Sequence, residues 1–133
     1  MKLDHIGIAV HDLQKAKKVY ELLLNQPLDE VIDLPSQHIQ TIMVETKNTH
    51  IELLQPLGEE GAIGKFLEKK GEGLHHIAFE VENFEETLQS LKSQSIPLIG
   101  EPTIGVKGNR IIFIHPKAIN GTLIELCEKP LSP

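Results

Sequence analysis

A strand of alternating character occurs twice in this chain, seventy-one positions apart, and any fold must accommodate both copies. The first copy is Asp4-His-Ile-Gly-Ile-Ala-Val10 and the second is His75-His-Ile-Ala-Phe-Glu-Val81. His5 matches His76, Ile6 matches Ile77, Gly7 matches Ala78 and Val10 matches Val81. Side chains alternate across a strand, so His5, Gly7 and Ala9 share one face while Ile6, Ile8 and Val10 share the other. In the second copy His76, Ala78 and Glu80 oppose Ile77, Phe79 and Val81 in the same way. Each strand thus offers one apolar face to a core. Its other face holds a histidine among small or polar residues, as in a cavity wall.

More landmarks repeat in register. Asp12 and Asn83, again seventy-one apart, are helix N-cap residues, each followed by an apolar stripe at helical spacing. The first stripe is Leu13, Ala16, Tyr20 and Leu23; the second is Phe84, Leu88 and Leu91, with Glu86 as a capping-box partner for Asn83. Pro27-Leu28 and Pro97-Leu98 follow the helices, and Ile51-Glu-Leu53 and Leu123-Ile-Glu-Leu126 close the two halves. In the first half, strands are expected over 28–34, 38–46 and 49–55; in the second, over 110–115 and 122–128. The fold class is α+β: tandem βαβββ repeats forming a curved mixed sheet. The first repeat covers 1–57 and the second 74–128, with a Gly-, Glu- and Lys-rich connector over 58–73 around a short amphipathic turn (Ile63, Phe66, Leu67).

Composition narrows the function classes. The 133 residues suffice for one domain with a hydrophobic core. A net charge of −6 argues against non-specific nucleic-acid binding, which needs a basic surface. No apolar run approaches spanning length, and Met1-Lys2-Leu3-Asp4 does not read as a secretory signal. The single Cys127 forbids an internal disulfide and fits a reducing compartment. No membrane partner is expected, and a cytoplasmic location is.

What the repeat duplicates is chemistry. Each half opens on a strand histidine and closes on a strand glutamate: His5 and Glu52, then His76 and Glu125. A carboxylate set between leucines and isoleucines is costly to bury unpaired. Two imidazoles and two carboxylates suit one divalent transition ion: zinc, nickel or cobalt, with the carboxylates extending the choice to manganese. Four protein ligands around an octahedral ion leave positions open, as a catalytic metal requires. Cys127 reads as a small buried thiol, and His115-Pro116-Lys117 as a turn.

These pieces resemble the vicinal oxygen chelate superfamily, and within it the methylmalonyl-CoA epimerase family. The resemblance rests on Asp4–Val10, Ile51-Glu-Leu-Leu-Gln-Pro-Leu57, Gly73–Val81, Phe113-Ile-His-Pro-Lys117 and Gly121–Leu126, in the family's order. It implies a single glyoxalase-like domain over 1–133, a homodimer, an acyl-CoA thioester as substrate, and a metal held by His5, Glu52, His76 and Glu125, with His75 outside the ligand set. The reaction implied is epimerisation of a 2-substituted malonyl-CoA such as methylmalonyl-CoA by α-proton abstraction, the metal stabilising the enolate and Glu125 serving as the catalytic proton carrier. One departure stands out: where a characterised epimerase carries a second glutamate on the third strand of its first repeat, this chain has Thr41. The alternatives within the superfamily are a glyoxalase I-type lyase acting on a thiol adduct and a non-catalytic small-molecule binder.

Overall fold

A computed structural model describes residues 1–130. Its elements run β1 (Lys2–Ala9), α1 (Leu13–Leu24), β2 (Ile32–Leu34), β3 (Ile39–Glu45), β4 (His50–Pro56), α2 (Ala62–Lys70), β5 (Gly73–Val81), α3 (Phe84–Ser93), β6 (Leu98–Ile104), β7 (Arg110–Ile114) and β8 (Ile124–Glu128). Short 3-10 turns, Pro35–Gln37 and Pro116–Ala118, precede β3 and β8. The order is βαβββ twice, with α2 between. The chain packs as two compact units, one formed by Ile6–His75 and the other by Met1–His5 with the chain from His76 onward.

In the Ile6–His75 unit, Asp12 caps α1 as its position predicts: its carboxylate accepts from the Lys15 N–H at 3.1 Å. The neighbouring Leu13 N–H donates to the Gln55 side-chain oxygen at 2.7 Å, which ties the helix start to β4. Asn25 ends the helix in the left-handed conformation, φ 52°. Strands β2, β3 and β4 are antiparallel, with Ile42 opposite Leu53 and Thr41 opposite Leu54. Alternation then splits the residues between two faces. Ile42, Val44 and Leu53 pack with Val10 against Leu13, Ala16, Tyr20 and Leu24 of α1. On the opposite face Ile39 and Leu54 pack with Ala9 against Ile63 and Leu67 of α2. Thr41, Met43 and Glu52 belong to this second face by register.

The other unit holds a mixed sheet. β5 and β8 are parallel, with Ala78 opposite Glu125, while β8–β7 and β7–β6 are antiparallel. Val81, Phe84, Leu88, Ile112, Ile114, Ile124 and Leu126 form its main core under α3. The reverse face carries Ala78, Ile111 and Cys127, with Phe113 packed beside them. Register sets Ala78, Glu125 and Phe113 in one row across β5, β8 and β7.

Several local expectations differ: Leu23, expected on the α1 stripe, is 73% exposed while Leu24 packs inward, and the connector's amphipathic turn is the nine-residue helix α2. The second strand is three residues long, not the seven of 28–34, because the Leu28 N–H donates to the Glu21 carboxylate at 2.9 Å and so leaves the ladder. β6 stands at Leu98–Ile104, where alternation gave no strand; Gly100 has φ 68° and the β6–β7 register shifts between Ile99 and Thr103. Asn83 occupies the N-cap of α3, but its side chain makes no capping bond there; Glu85 and Glu86 in the first turn offset the helix-start charge instead.

Candidate metal centre

The duplicated histidines meet. His5 on β1 and His76 on β5 bring their Nε2 atoms to 3.1 Å, with the rings edge-to-face. Glu125 joins them from β8: Oε1 lies 3.4 Å from His76 Nε2 and Oε2 lies 3.6 Å from His5 Nε2. All three side chains are buried. Their convergence follows from local structure, since strand parity puts His76 on the Ala78 face of β5 and the parallel register brings Glu125 opposite Ala78. Phe113, opposite Glu125 on β7, walls the His76 ring edge-to-face at 5.7 Å between centroids.

Asp4 and Lys107, which the sequence reading did not single out, belong to the same group. The Asp4 carboxylate lies 2.7 Å from His5 Nδ1, and Lys107 Nζ donates to both Asp4 oxygens at 3.1 Å. A carboxylate only accepts, so the ring proton of His5 sits on Nδ1 and Nε2 presents its lone pair. That lone pair faces a second imidazole nitrogen and a carboxylate. Three electron-rich atoms this close fit a shared cation, and imidazole with carboxylate is the donor chemistry of a transition ion. The one available signal for Asp4 was an asymmetry of the repeat: its counterpart in the second copy is His75. Lys107 carried no signal, because only the folded chain brings it to Asp4.

The electrostatics follow from these contacts. The hydrogen bond from His5, with further help from Lys107, outweighs burial and holds the Asp4 carboxyl at about 2. Burial pushes Glu125 up from its ordinary range, opposed by His5 and by the Cys127 thiol. Cys127 Sγ donates to Glu125 Oε2 at 2.8 Å, and burial with the adjacent carboxylate keeps that thiol protonated. Cys127 is a buried, protonated thiol in contact with a buried carboxylate.

Glu52 lies on β4 of the Ile6–His75 unit, buried and opposite Met43. In the Ile6–His75 unit the His75 ring stands edge-to-face on Phe66 of α2, at 4.9 Å. Thr41, on the face that carries Glu52, is 1% exposed, and its hydroxyl has no hydrogen-bond partner among the described residues. His115 accepts from the Lys117 N–H and so is turn chemistry. No helix among the described residues is long and apolar enough to cross a membrane.

Comparison with known proteins agrees with the architecture. Residues 4–113 match the glyoxalase/bleomycin resistance protein/dioxygenase superfamily model. The mitochondrial methylmalonyl-CoA epimerase of Homo sapiens is 40% identical over 127 residues, covering 94% of this chain and 72% of that protein. The crystal structure of methylmalonyl-CoA epimerase from Mycobacterium tuberculosis superimposes with a TM-score of 0.89 at 36% identity, covering 98% of this chain and 89% of that one. A variant of the Streptomyces coelicolor methylmalonyl-CoA epimerase, solved in complex with 2-nitronate-propionyl-CoA, gives a TM-score of 0.88 at 32% identity, covering 100% of this chain and 99% of that one. With its glyoxalase-like α+β fold, the chain belongs to the glyoxalase/bleomycin resistance protein/dioxygenase superfamily, and within it stands with the methylmalonyl-CoA epimerases.

Proposed function

We propose that this protein is a metal-dependent epimerase of a 2-substituted malonyl-CoA such as methylmalonyl-CoA. The observation that carries the reading is the convergence of His5, His76 and Glu125 on one buried group, in a chain similar along 94% of its length to named epimerases. His5, Glu52, His76 and Glu125 would hold a single divalent ion: cobalt, zinc, nickel or manganese. Such an ion supplies a Lewis acid for the charge that develops on the substrate as its α-proton leaves.

The chain's own residues do the rest. Asp4 keeps the His5 proton on Nδ1, so that Nε2 can ligate. Glu125 moves the proton; burial pushes its pKa up from the ordinary carboxylate range and so raises its basicity. Phe113 and Ala78 flank Glu125 and keep bulk water from it. Thr41 offers no carboxylate for the opposite face, so return of the proton there relies on a weaker donor. An acyl-CoA partner is supported by the ligand in the Streptomyces coelicolor complex. Homodimer assembly and a cytoplasmic location complete the reading; exposed Leu22 and Leu23 on α1 supply apolar surface for self-association.

The test is incubation with methylmalonyl-CoA in deuterated water at saturating cobalt or zinc. Deuterium entry at the α-carbon with inversion is expected. Absence of exchange overturns the epimerase, and turnover of methylglyoxal with a thiol in a parallel assay would point to the glyoxalase I-type lyase instead.

A further inference from the structure

The proposed ligands leave one charged contact without a stated role. Lys107 lies on the turn between β6 and β7, a place where a lysine ordinarily extends into water. Here its ammonium reaches a carboxylate whose side chain is 6% exposed, and lies 3.1 Å from each oxygen. The turn that presents it is braced. Gly105 N–H donates to the Asn109 carbonyl at 2.9 Å and Gly108 N–H to the Gly105 carbonyl at 3.0 Å. The Asn109 side chain donates to the Glu128 carbonyl at the end of β8, and Arg110 forks onto the Glu128 carboxylate at 3.2 and 2.7 Å. Gly105 packs so tightly that a Cβ there would stand 2.8 Å from Ile111 Cγ2. A lysine on a turn held this firmly gives up little extra freedom in making its contact.

We infer that Lys107 is a positioning residue for the metal centre, clamping Asp4 so that Asp4 in turn fixes the tautomer and ring orientation of His5. The inference rests on the metal-dependent reading above. The Asp4 carboxylate can rotate out of the plane in which one of its two equivalent oxygens meets His5. An ammonium bridging both oxygens holds the carboxylate plane in place and leaves Oδ2 aimed at Nδ1. Without it the carboxylate can turn, and the His5 proton can move to Nε2, the atom that must offer a lone pair. Loss of such an outer partner typically costs about 10–100-fold in metal affinity.

The experiment titrates metal-free full-length protein with cobalt, following visible absorption, for wild type, Lys107→Met, Lys107→Arg and Asp4→Asn. Nitrogen-15 spectra of the imidazoles report the His5 tautomer in the same samples. Wild type should bind one cobalt and hold His5 as the Nδ1–H form. Lys107→Met should weaken cobalt about 10–100-fold and mix the His5 tautomers, while its metal-free melting temperature stays at the wild-type value. Lys107→Arg should recover most of the affinity. Adding Lys107→Met to Asp4→Asn should cost no further affinity, since the relay is already cut. Cobalt affinity in Lys107→Met equal to a cobalt-binding wild type, or an additive double variant, overturns the positioning role alone. A wild type that binds no cobalt overturns the metal reading and this inference together. Should Lys107→Met fail to fold, Lys107→Gln carries the same test: cobalt affinity and a His5 tautomer equal to those of a cobalt-binding wild type overturn the positioning role.

Discussion

His5 Nε2 and His76 Nε2 lie 3.1 Å apart, although seventy-one residues separate them in the chain. A neutral His76 protonated on Nε2 would donate to His5, and a cation between the two nitrogens would take both lone pairs. Replacing His76 with alanine should remove stoichiometric metal, with affinity falling at least as far as the roughly 100-fold seen for outer-shell losses. The fold should survive, because Ile77, Phe79 and Val81 lie on the other face of β5. Elemental analysis with circular dichroism checks both halves. A folded variant that keeps one metal would assign the ligand elsewhere.

Glu125 is the residue asked to do two things. Glu125→Gln keeps the shape and the acceptor oxygen for Cys127, but loses the basicity. Deuterium exchange into methylmalonyl-CoA should fall about 10²–10⁴-fold even at saturating cobalt. An exchange rate within a few-fold of wild type at full metal occupancy would remove Glu125 from the proton path.

Helix α1 and the paired strands β3 and β4 could be read from residue order alone. Asp12 and Asn25 bound α1, and alternation in β3 and β4 sorts Ile42 and Leu53 to one face and Glu52 to the other. His5, His76 and Glu125 were visible because duplication marks positions that local propensity cannot. What escaped was tertiary. β6 breaks alternation at Gly100 and Pro102, Leu28 spends its N–H on Glu21, and Asp4 meets Lys107 across a separation of 103 residues. No window along the sequence contains that last contact.

Thr41 offers a stability test independent of catalysis. Its hydroxyl is buried without a partner, and burying one unpaired costs about 1–3 kcal/mol by protein mutational data. Thr41→Val preserves volume and strand preference. The urea midpoint should rise by the equivalent of about 1 kcal/mol with the slope unchanged. A fall of that size would mean that the hydroxyl is satisfied in solution.

His75 makes the fold sensitive to acid. Burial first, then the neighbouring Lys70 charge, depress its pKa from 6.5 to about 4. In the unfolded chain the same imidazole takes up its proton near 6.5, so between about pH 6.5 and 4 the unfolded state binds more protons. Stability contributed by neutral His75 is therefore complete above that window and lost as pH falls through it, by up to about 3 kcal/mol. Urea unfolding from pH 7 to 4 should show a shallower decline in His75→Gln than in wild type. Parallel declines would place the acid sensitivity on other groups.

The grouping of Met1–His5 with the chain from His76 onward has a consequence for synthesis. Translation delivers His5 well before Glu125, and domains generally fold as their chain emerges. Residues 6–75 can gather their own antiparallel strands and helices while the ribosome is still working. The parallel β5–β8 pairing then closes a loop of over forty residues, a slow step by nature. A nascent chain that captured a transition ion early would have to do so without its full set of donors. On the metal-dependent reading, a full donor set therefore waits for β8, since only a chain with β8 in place presents His5, His76 and Glu125 together.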